Sequence, residues 1–426
     1  MEGIDGLCTA LVILDQDISL LDEYDEDVLL TLEDWEQEPN DDLMEKLQVT
    51  PFENLPTNYP TVLINGINAN ISQPIRFTPG RRYRLRVVSI SFTYWFKVRL
   101  PGHTMHVIEA DGTSSHPSAA DGLDLCPGQR YSVIITAHKS LEFNYALNVT
   151  FYSDFFPPKL GLNPRHYQVP IVYRNNAPTK KFPVIEDHEV KWADEYAMES
   201  RDKHMLLGPV DQHIVLNLKT LINKVGIPNY AFGDYAYNHV PVPPLYTVLT
   251  TGDMALSPSV YASQLNAIIL KHNHIVGLEL HNPKTLMVHS YHCHGHAFQV
   301  VESGPVNANS LVPVKRFRGR QPMRRDTITL AANRYVRLRI KADNPGVWYQ
   351  HCHQEQHNYS GLAFTFIEAP DAMQRTLRVP EVIIEFCRIL EHPTQGSSAG
   401  NIGSNMTGIE PLLKIHRHAD STKNTL

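Results

Sequence analysis

Two short segments near the C-terminal end of the chain concentrate histidine and cysteine. They are residues 289–296 (HSYHCHGH) and residues 351–357 (HCHQEQH). In a β-strand, side chains at positions i and i+2 lie on one face and the side chain between them points to the other. His351 and His353 can therefore enter one metal site while Cys352 enters another. The spacing predicts two metal centres that are joined by a single strand.

The ligand types favour copper over zinc. Blue-copper electron-transfer sites use two His and one Cys with a weak axial ligand. Cys352 and His357, in Cys-x4-His spacing, supply two of these three ligands, and His289 from the earlier segment is the candidate for the third. Structural zinc sites need four ligands and have no use for a cysteine between two opposed histidines. We therefore predict copper as the cofactor.

The elements that position these residues are short runs of β-type sequence separated by Pro, Gly, Asn and Asp. Such runs with regular turn signals predict β-sandwiches or barrels, so the expected fold class is all-β. The runs occur at 61–64, 83–91, 131–136, 213–218, 275–280 and 336–340. We expect one β domain at 24–180 and a second at 205–375, with an acid-rich linker at 181–204. Residues 1–23 read as the end of a further domain, and 376–426 as a tail that is disordered from Gln395 onward.

Composition excludes several classes of protein. The chain has 426 residues, a net charge of −7 and a single dense basic stretch at 315–320, which gives no sign of a nucleic-acid partner. No apolar run approaches the roughly 18 residues that cross a bilayer, and the first residues do not form a signal peptide. The five cysteines are too few for a dense disulfide framework. Four Asn-X-Ser/Thr triplets hint at secretion; they begin at Asn70, Asn148, Asn358 and Asn405.

The two segments resemble the C-terminal copper signatures of the multicopper oxidase family, His-x-x-His-x-His-Gly-His and His-Cys-His-x3-His. Residues 323–327 (MRRDT) and 341–348 (KADNPGVW) resemble the laccases and the fungal iron-oxidising members. Residues 80–88, 107–112 and 127–131 are similar to the family's middle cupredoxin domain. The resemblance covers about residues 1–370. It implies tandem cupredoxin-like Greek-key domains, sandwich or barrel, with most of the first domain missing from this chain.

The resemblance also implies a role for each ligand. The type 1 copper ligands would be His289, Cys352 and His357; the type 2 ligand would be His292; the type 3 ligands would be His294, His351 and His353. Leu362 would occupy the axial position, which implies a higher-potential centre because leucine cannot coordinate. No His-x-His pair with the family's surroundings occurs before residue 272, so the type 1 site would be complete and the type 2 and type 3 sites half complete.

The implied activity is a one-electron oxidation of a phenol, an amine or Fe(II), with reduction of O2 to water in the intact enzyme. Electrons would pass from the type 1 site through Cys352 and its flanking histidines. Asp34 resembles one Fe(II)-binding position of the family and either Asp194 or Glu195 resembles another, although a solvated acidic surface is an equal alternative. The intact protein is expected to be secreted or held at the cell surface. Two alternatives stay open, a copper-binding electron-transfer module without oxygen reduction and an inactive truncated gene product.

Overall fold

The computed structural model describes residues 6–13, 24–39, 42, 46, 60–138, 143–152, 164–173, 189–222, 227–283, 287–307 and 310–409. Strands dominate this part of the chain and form four sheets, two in each half. The first two sheets contain strands between residues 26 and 173, and the other two contain strands between residues 212 and 368. We call these halves the first and the second sandwich.

The first sandwich packs a seven-stranded sheet against a five-stranded one. Their strand orders are β3-β2-β1-β5-β10-β7-β8 and β4-β12-β11-β6-β9. Alternation along β11 shows why these residues form a sandwich, since every second side chain is buried. The strands are β1 Glu26–Trp35, β2 Thr61–Ile64, β3 Ile67–Asn68, β4 Ile75–Phe77, β5 Arg82–Ser89, β6 Trp95–Arg99, β7 Met105–Ala110, β8 Thr113–Ala120, β9 Gly122–Leu125, β10 Arg130–Thr136, β11 Tyr145–Tyr152 and β12 Arg165–Tyr173.

The second sandwich has the same plan. One sheet runs β14-β13-β16-β22-β18-β19, with β20 also paired to β18, and the other runs β15-β24-β23-β17-β21. The second of these sheets carries the histidine and cysteine segments on β17 and β23. The strands are β13 Gln212–Ile222, β14 Pro228–Phe232, β15 Ala267–Leu270, β16 Ile275–Asn282, β17 His289–Cys293, β18 Phe298–Pro305, β19 Lys315–Arg316, β20 Arg324–Arg325, β21 Thr327–Leu330, β22 Arg334–Lys341, β23 Gly346–Cys352 and β24 Ala363–Glu368.

The predicted all-β class is confirmed; five of the six β-type runs lie within a strand, and the run at 83–91 extends two residues beyond the end of β5. The tail differs from its prediction, because residues 395–409 are described and are anchored at two buried serines. Ser397 and Ser398 are fully buried, and the Ser398 N–H donates to the carbonyl of Val260. Four α-helices have both ends within the described residues: α1 Pro244–Thr250, α2 Glu355–Tyr359, α3 Pro370–Thr376 and α4 Glu381–Ile389.

The predicted linker is fastened to the sandwiches where it is described, from residue 189 onward. Ser200 forms a β-bridge with Ser115 of the first sandwich, and Glu199 forms one with Pro322 of the second. At the other end of the chain, residues 6–13 have no regular structure apart from a turn, and their leucines are largely exposed. Residues 1–5, 14–23 and 410–426 lie outside the described part.

A buried arginine joins the two sandwiches. Arg325 on β20 is fully buried, and its Nε lies 2.8 Å from Asp111 Oδ2 of the first sandwich. Its Nη1 lies 2.7 Å from Glu195 Oε2 and also donates to the hydroxyl of Tyr131. Burial acts to lower the pKa of the guanidinium, but the two carboxylates outweigh it and raise that pKa. The guanidinium therefore stays charged, and it links β20 of the second sandwich to Asp111 of the first.

We expect Arg325→Met to lower the free energy of unfolding by about 3–5 kcal/mol, because it removes a buried cation from Glu195 and Asp111. Of the cations in the described residues, Asp111 then keeps only its longer contact with Arg130, at 3.5 Å. Urea unfolding measures this loss. The control is Arg375→Met, which breaks an exposed ion pair with Asp371 on α3 and should cost at most about 0.5 kcal/mol. Similar losses in the two variants would contradict the role assigned to Arg325.

Candidate metal centres

Three elements of the second sandwich bring two histidines and a cysteine together. His289 begins β17, Cys352 ends β23 and His357 lies on α2. The Nδ1 atoms of the two histidines are 3.0 Å apart, and Cys352 Sγ is 3.8 Å from the first and 3.7 Å from the second. All three side chains are buried. We call them the first cluster.

Burial sets the protonation of the first cluster. It lowers the pKa of His289 to about 3 and holds the pKa of His357 well below its usual range, with the neighbouring ring adding to the effect for His357. Both rings are therefore neutral at physiological pH and offer nitrogen lone pairs. Burial raises the pKa of the Cys352 thiol to about 12, opposed by backbone N–H groups of Gln354 and Ser290. A bound cation would displace that thiol proton.

The donor set of the first cluster fits copper. Two neutral imidazoles and one thiol converge within 4.8 Å, and among the described residues no fourth His, Cys, Asp or Glu joins the group. Trigonal sites with two His and one Cys are typical of blue copper, whereas structural zinc takes four protein ligands.

A second cluster lies on the opposite face of the same strands. Nitrogen atoms of His292, His294 and His351 lie within 4.8 Å of one another, with His294 Nε2 and His351 Nε2 3.0 Å apart. The ring of His353 is 5.5 Å from that of His292 and 5.9 Å from that of His351, measured between centroids. The seven candidate ligands thus fall into two groups.

Hydrogen bonds fix which nitrogen two rings of the second cluster, His292 and His351, present to a metal. His292 Nδ1 lies 3.0 Å from the carbonyl oxygen of Asp326 and 3.0 Å from Thr327 Oγ1. His351 Nδ1 lies 2.9 Å from the carbonyl oxygen of Cys352. A nitrogen that donates to a carbonyl carries the proton, so the other nitrogen keeps its lone pair. His292 and His351 therefore present Nε2 as a ligand atom, as metal-binding histidines with an outer partner do.

The first sandwich supports the second cluster through contacts that the sequence did not reveal. Both Nη atoms of Arg130 reach the carboxylate of Asp326, at 2.6 and 2.7 Å. Gly128 has φ +82°, and a Cβ there would lie 2.6 Å from Cδ2 of His353. The only signal in the sequence was the family-like run at 127–131, which predicted a fold but no contact with the histidines.

Tyr230 on β14 is a further residue that sequence reasoning missed. Its ring centroid lies 4.9 Å from that of His357, and its hydroxyl donates to Met287 Sδ at 3.4 Å. Burial raises the pKa of its hydroxyl to about 12, so the ring is neutral. Tyr230 thus covers one side of the first cluster, and no motif in the sequence indicated it.

The structure gives the three candidate substrate acids different surroundings. Asp34 is 3% exposed and accepts hydrogen bonds from Ser91 Oγ and from the backbone N–H groups of residues 92–94. Burial raises its pKa to about 6 while those bonds act in the opposite direction. Glu195 is paired with Arg325. Asp194 is 39% exposed and lies 3.4 Å from Lys315 Nζ. Of the three, Asp194 alone presents a carboxylate substantially to solvent.

Comparisons with known proteins identify the family to which the chain belongs. Family models described as multicopper oxidase match residues 26–166 and 238–372. The iron multicopper oxidase fer1 of Mycosarcoma maydis is 32% identical, over 95% of this chain and 68% of that protein. The chain belongs to the multicopper oxidase family. The iron transport multicopper oxidases FET3 of Gibberella zeae and FET5 of Saccharomyces cerevisiae are 34% and 31% identical, each over 93% of this chain. The chain spans 64% and 66% of their lengths.

Solved structures agree with the family and with the expected cupredoxin-like fold. Fet3p, described as a multicopper oxidase that functions in iron import, superposes with a TM-score of 0.79 at 25% identity and covers 91% of this multicopper oxidase and 75% of its own chain. The laccase from Botrytis aclada gives a TM-score of 0.63 at 19% identity, over 86% and 68% of the two chains, and shows the fold alone. Copper is accordingly the metal that this family implies. Within the described residues, no helix is long and apolar enough to cross a membrane.

We expect Gly128→Ala to lower the free energy of unfolding of this multicopper oxidase by more than the cost of placing an alanine in a left-handed backbone conformation. The left-handed conformation costs an alanine about 1–2 kcal/mol, and the clash with His353 adds about 1–3 kcal/mol. Gly66→Ala is the control, because Gly66 has φ +72° with no atom within 4 Å of a new Cβ. Urea unfolding of both variants separates strain from clash. Equal losses would show that residue 128 does not press on His353.

Proposed function

We propose that this chain is the copper-binding part of a laccase- or ferroxidase-type oxidase, with type 1 copper held by His289, Cys352 and His357. The observation that carries the proposal is the convergence of one thiol and two neutral imidazoles in a buried trigonal group. Copper bound there would supply one-electron redox chemistry. The chain's own residues hold the donor atoms in place and exclude water from them.

The second cluster is proposed as one half of the oxygen-reducing site of the intact enzyme. His292 would serve type 2 copper, and type 3 copper would take His294, His351 and His353. His351 and His353 flank Cys352 in sequence, so one peptide segment connects the two clusters. The described residues supply these ligands from the second sandwich alone. We therefore propose that the type 1 site is complete and that the type 2 and type 3 sites need further ligands.

Fe(II) is the reducing substrate that we propose first, with O2 as the electron acceptor. Support comes from relatives whose names describe iron transport and from Fet3p, which functions in iron import. Phenols and amines are the substrates expected of the laccase-like alternative. Asp194 is the best placed of the three candidate acids, since its carboxylate meets solvent. The bonds of Asp34 and Glu195 support a structural role for both.

A second candidate function is a copper-binding electron-transfer module without oxygen reduction. It is favoured by the assembly of all three first-cluster ligands within one sandwich. Copper analysis of the intact protein, in which the second cluster would have its further ligands, distinguishes the candidates, because the oxidase would hold copper at both clusters and take up oxygen continuously. A module holds about one ion and accepts one electron. A chain that binds none would be the inactive gene product.

We also propose that the intact protein is secreted or held at the cell surface. Two of the four Asn-X-Ser/Thr triplets begin at exposed asparagines, Asn70 and Asn405. Asn358 is less suited to modification, because its side-chain oxygen accepts a hydrogen bond from the hydroxyl of Tyr349 at 2.6 Å.

The copper-loaded chain should show intense blue absorption that Cys352→Ser abolishes, because the charge-transfer transition requires the thiolate. Absorption spectra of the unmodified chain and the variant, recorded at equal copper content, measure this loss. Cys387→Ser is the control, since that thiol is half-buried and bonded to the hydroxyl of Tyr246. A Cys352→Ser protein that stays blue would overturn the type 1 assignment.

Leu362→Met should lower the reduction potential of the type 1 site, because a thioether at the axial position donates weakly to copper. Leu362 is fully buried, and its backbone bonds to both His357 and Cys352. The control is Leu362→Ile, which keeps the volume without adding sulfur. A redox titration in which the methionine variant does not fall below the isoleucine variant would remove Leu362 from the axial position.

A further inference from the structure

We propose that the protein docks on an anionic lipid surface through residues 203–206 and 311–320, which we call the loop surface. Residues 315–320 are the dense basic stretch of the sequence, and neither cluster of candidate copper ligands uses them. The proposed occupant is a layer of phosphate-bearing lipid headgroups. The inference does not depend on copper binding, and it gives a physical basis for the proposed location at the cell surface.

The arginines of the loop surface point to solvent. Arg316 ends β19 at the edge of its sheet, and Arg318 and Arg320 follow at alternate positions. All three are exposed, whereas Phe317 between the first two is buried. Gly319 lies on the same side as Phe317, because a Cβ there would be 2.6 Å from the ring of Phe317. The alternation therefore turns three cations outward together.

Two of these cations are available to meet phosphate groups. Arg316 forms an ion pair with Glu302 but keeps most of its side chain exposed. In the part of the chain that the structure describes, no carboxylate lies within ion-pair distance of the guanidinium of Arg318 or Arg320. Glu199 contacts this segment through the backbone N–H of Arg320, at 3.3 Å. Because the whole chain carries a formal net charge of −7, an anionic surface attracts it only at such a basic patch.

Exposed apolar side chains lie beside these cations. Leu311 is 100% exposed, and Val314 is half exposed. A second segment adds the exposed side chains of Met205 and Leu206, and the backbone N–H of Leu206 donates to the carbonyl of Arg320 at 2.9 Å. The two segments therefore meet at the basic stretch. Large apolar side chains that are this exposed gain free energy when they leave water for the boundary between headgroups and acyl chains.

The combination of cations and apolar side chains selects a lipid surface over other polyanions. An anionic polysaccharide offers charge without an apolar layer beneath it. A membrane interface offers phosphate groups with acyl chains directly below, so both kinds of side chain on the loop surface find a partner. Each lysine or arginine near an anionic lipid surface strengthens binding about fivefold.

The test is co-sedimentation of the 426-residue chain with vesicles of equal parts phosphatidylcholine and phosphatidylglycerol. Arg318→Ser combined with Arg320→Ser removes two cations and should weaken binding about tenfold or more. Leu311→Ser combined with Val314→Ser keeps the charge and should weaken binding by a similar factor. Binding of the unmodified chain should fall at high salt and on vesicles of phosphatidylcholine alone.

Matched controls separate the loop surface from the rest of the molecule. Arg375→Ser combined with Arg378→Ser changes the net charge equally, at exposed positions on α3 and just after it. Ile389→Ser combined with Ile402→Ser removes two apolar side chains that are also largely exposed. We expect both control proteins to bind the mixed vesicles as the unmodified chain does. Circular dichroism spectra check that every variant is folded.

Three outcomes overturn the inference. The first is an unmodified chain that does not bind the mixed vesicles, or whose binding does not respond to salt. The second is equal weakening in the controls, which would place the contact elsewhere, as on α4, where Ile389 lies. The third is retention on a heparin resin that requires the two arginines but not Leu311 and Val314, without vesicle binding. No measurement here involves copper, so each result leaves the assignment of the metal centres untouched.

Discussion

The alternation of side chains at the end of β23 is the constraint on which both clusters depend. Adjacent residues on a strand face opposite ways, so His351 and Cys352 cannot enter one cavity. The register with β17 matches this alternation, because Tyr291 lies opposite Cys352 and His292 lies opposite His351. A shift of one residue would exchange the faces of the whole segment. The separation of the clusters is therefore set by a single peptide rather than by the packing of domains.

The same alternation explains which way the side chains between the ligands of β17 point. Positions 289, 291 and 293 share the face of Cys352, and Tyr291 and Cys293 are buried in that core. Cys293 thus acts as a small apolar side chain there, as expected for a free buried cysteine. Ser290 has the same parity as His292 and contacts the first sandwich through Pro127. The face that carries the second cluster is also the face that the first sandwich covers, so that sandwich can restrain both groups of ligands.

The sequence was sufficient for the strands and for the seven candidate ligands, because alternation and short spacing are local properties. It could not reveal Cys126 beside Ser290 or Gly128 beside His353, since these pairs are more than 150 residues apart and each residue is ordinary in its own segment. At residues 395–409 the composition instead predicted disorder where the structure describes an ordered segment. Their Gly, Ser and Asn content predicted disorder, yet Ser398 is buried by backbone bonds to two distant segments, and composition carries no record of such bonds.

The candidate Fe(II)-binding acids also differ in the interactions that each would lose on binding the ion. For Asp34 to bind Fe(II), it would have to give up four hydrogen bonds in a buried loop, each with a net value of about 0.5–1.5 kcal/mol. Asp194 would give up one hydrogen bond from the backbone N–H of Tyr196 and an exposed pair with Lys315, and such exposed pairs contribute about 0–1 kcal/mol. Asp34 instead holds the loop whose Thr93 carbonyl accepts from Gln354 Nε2, two residues after Cys352. Its carboxylate is better understood as support for the first cluster than as a ligand for its substrate.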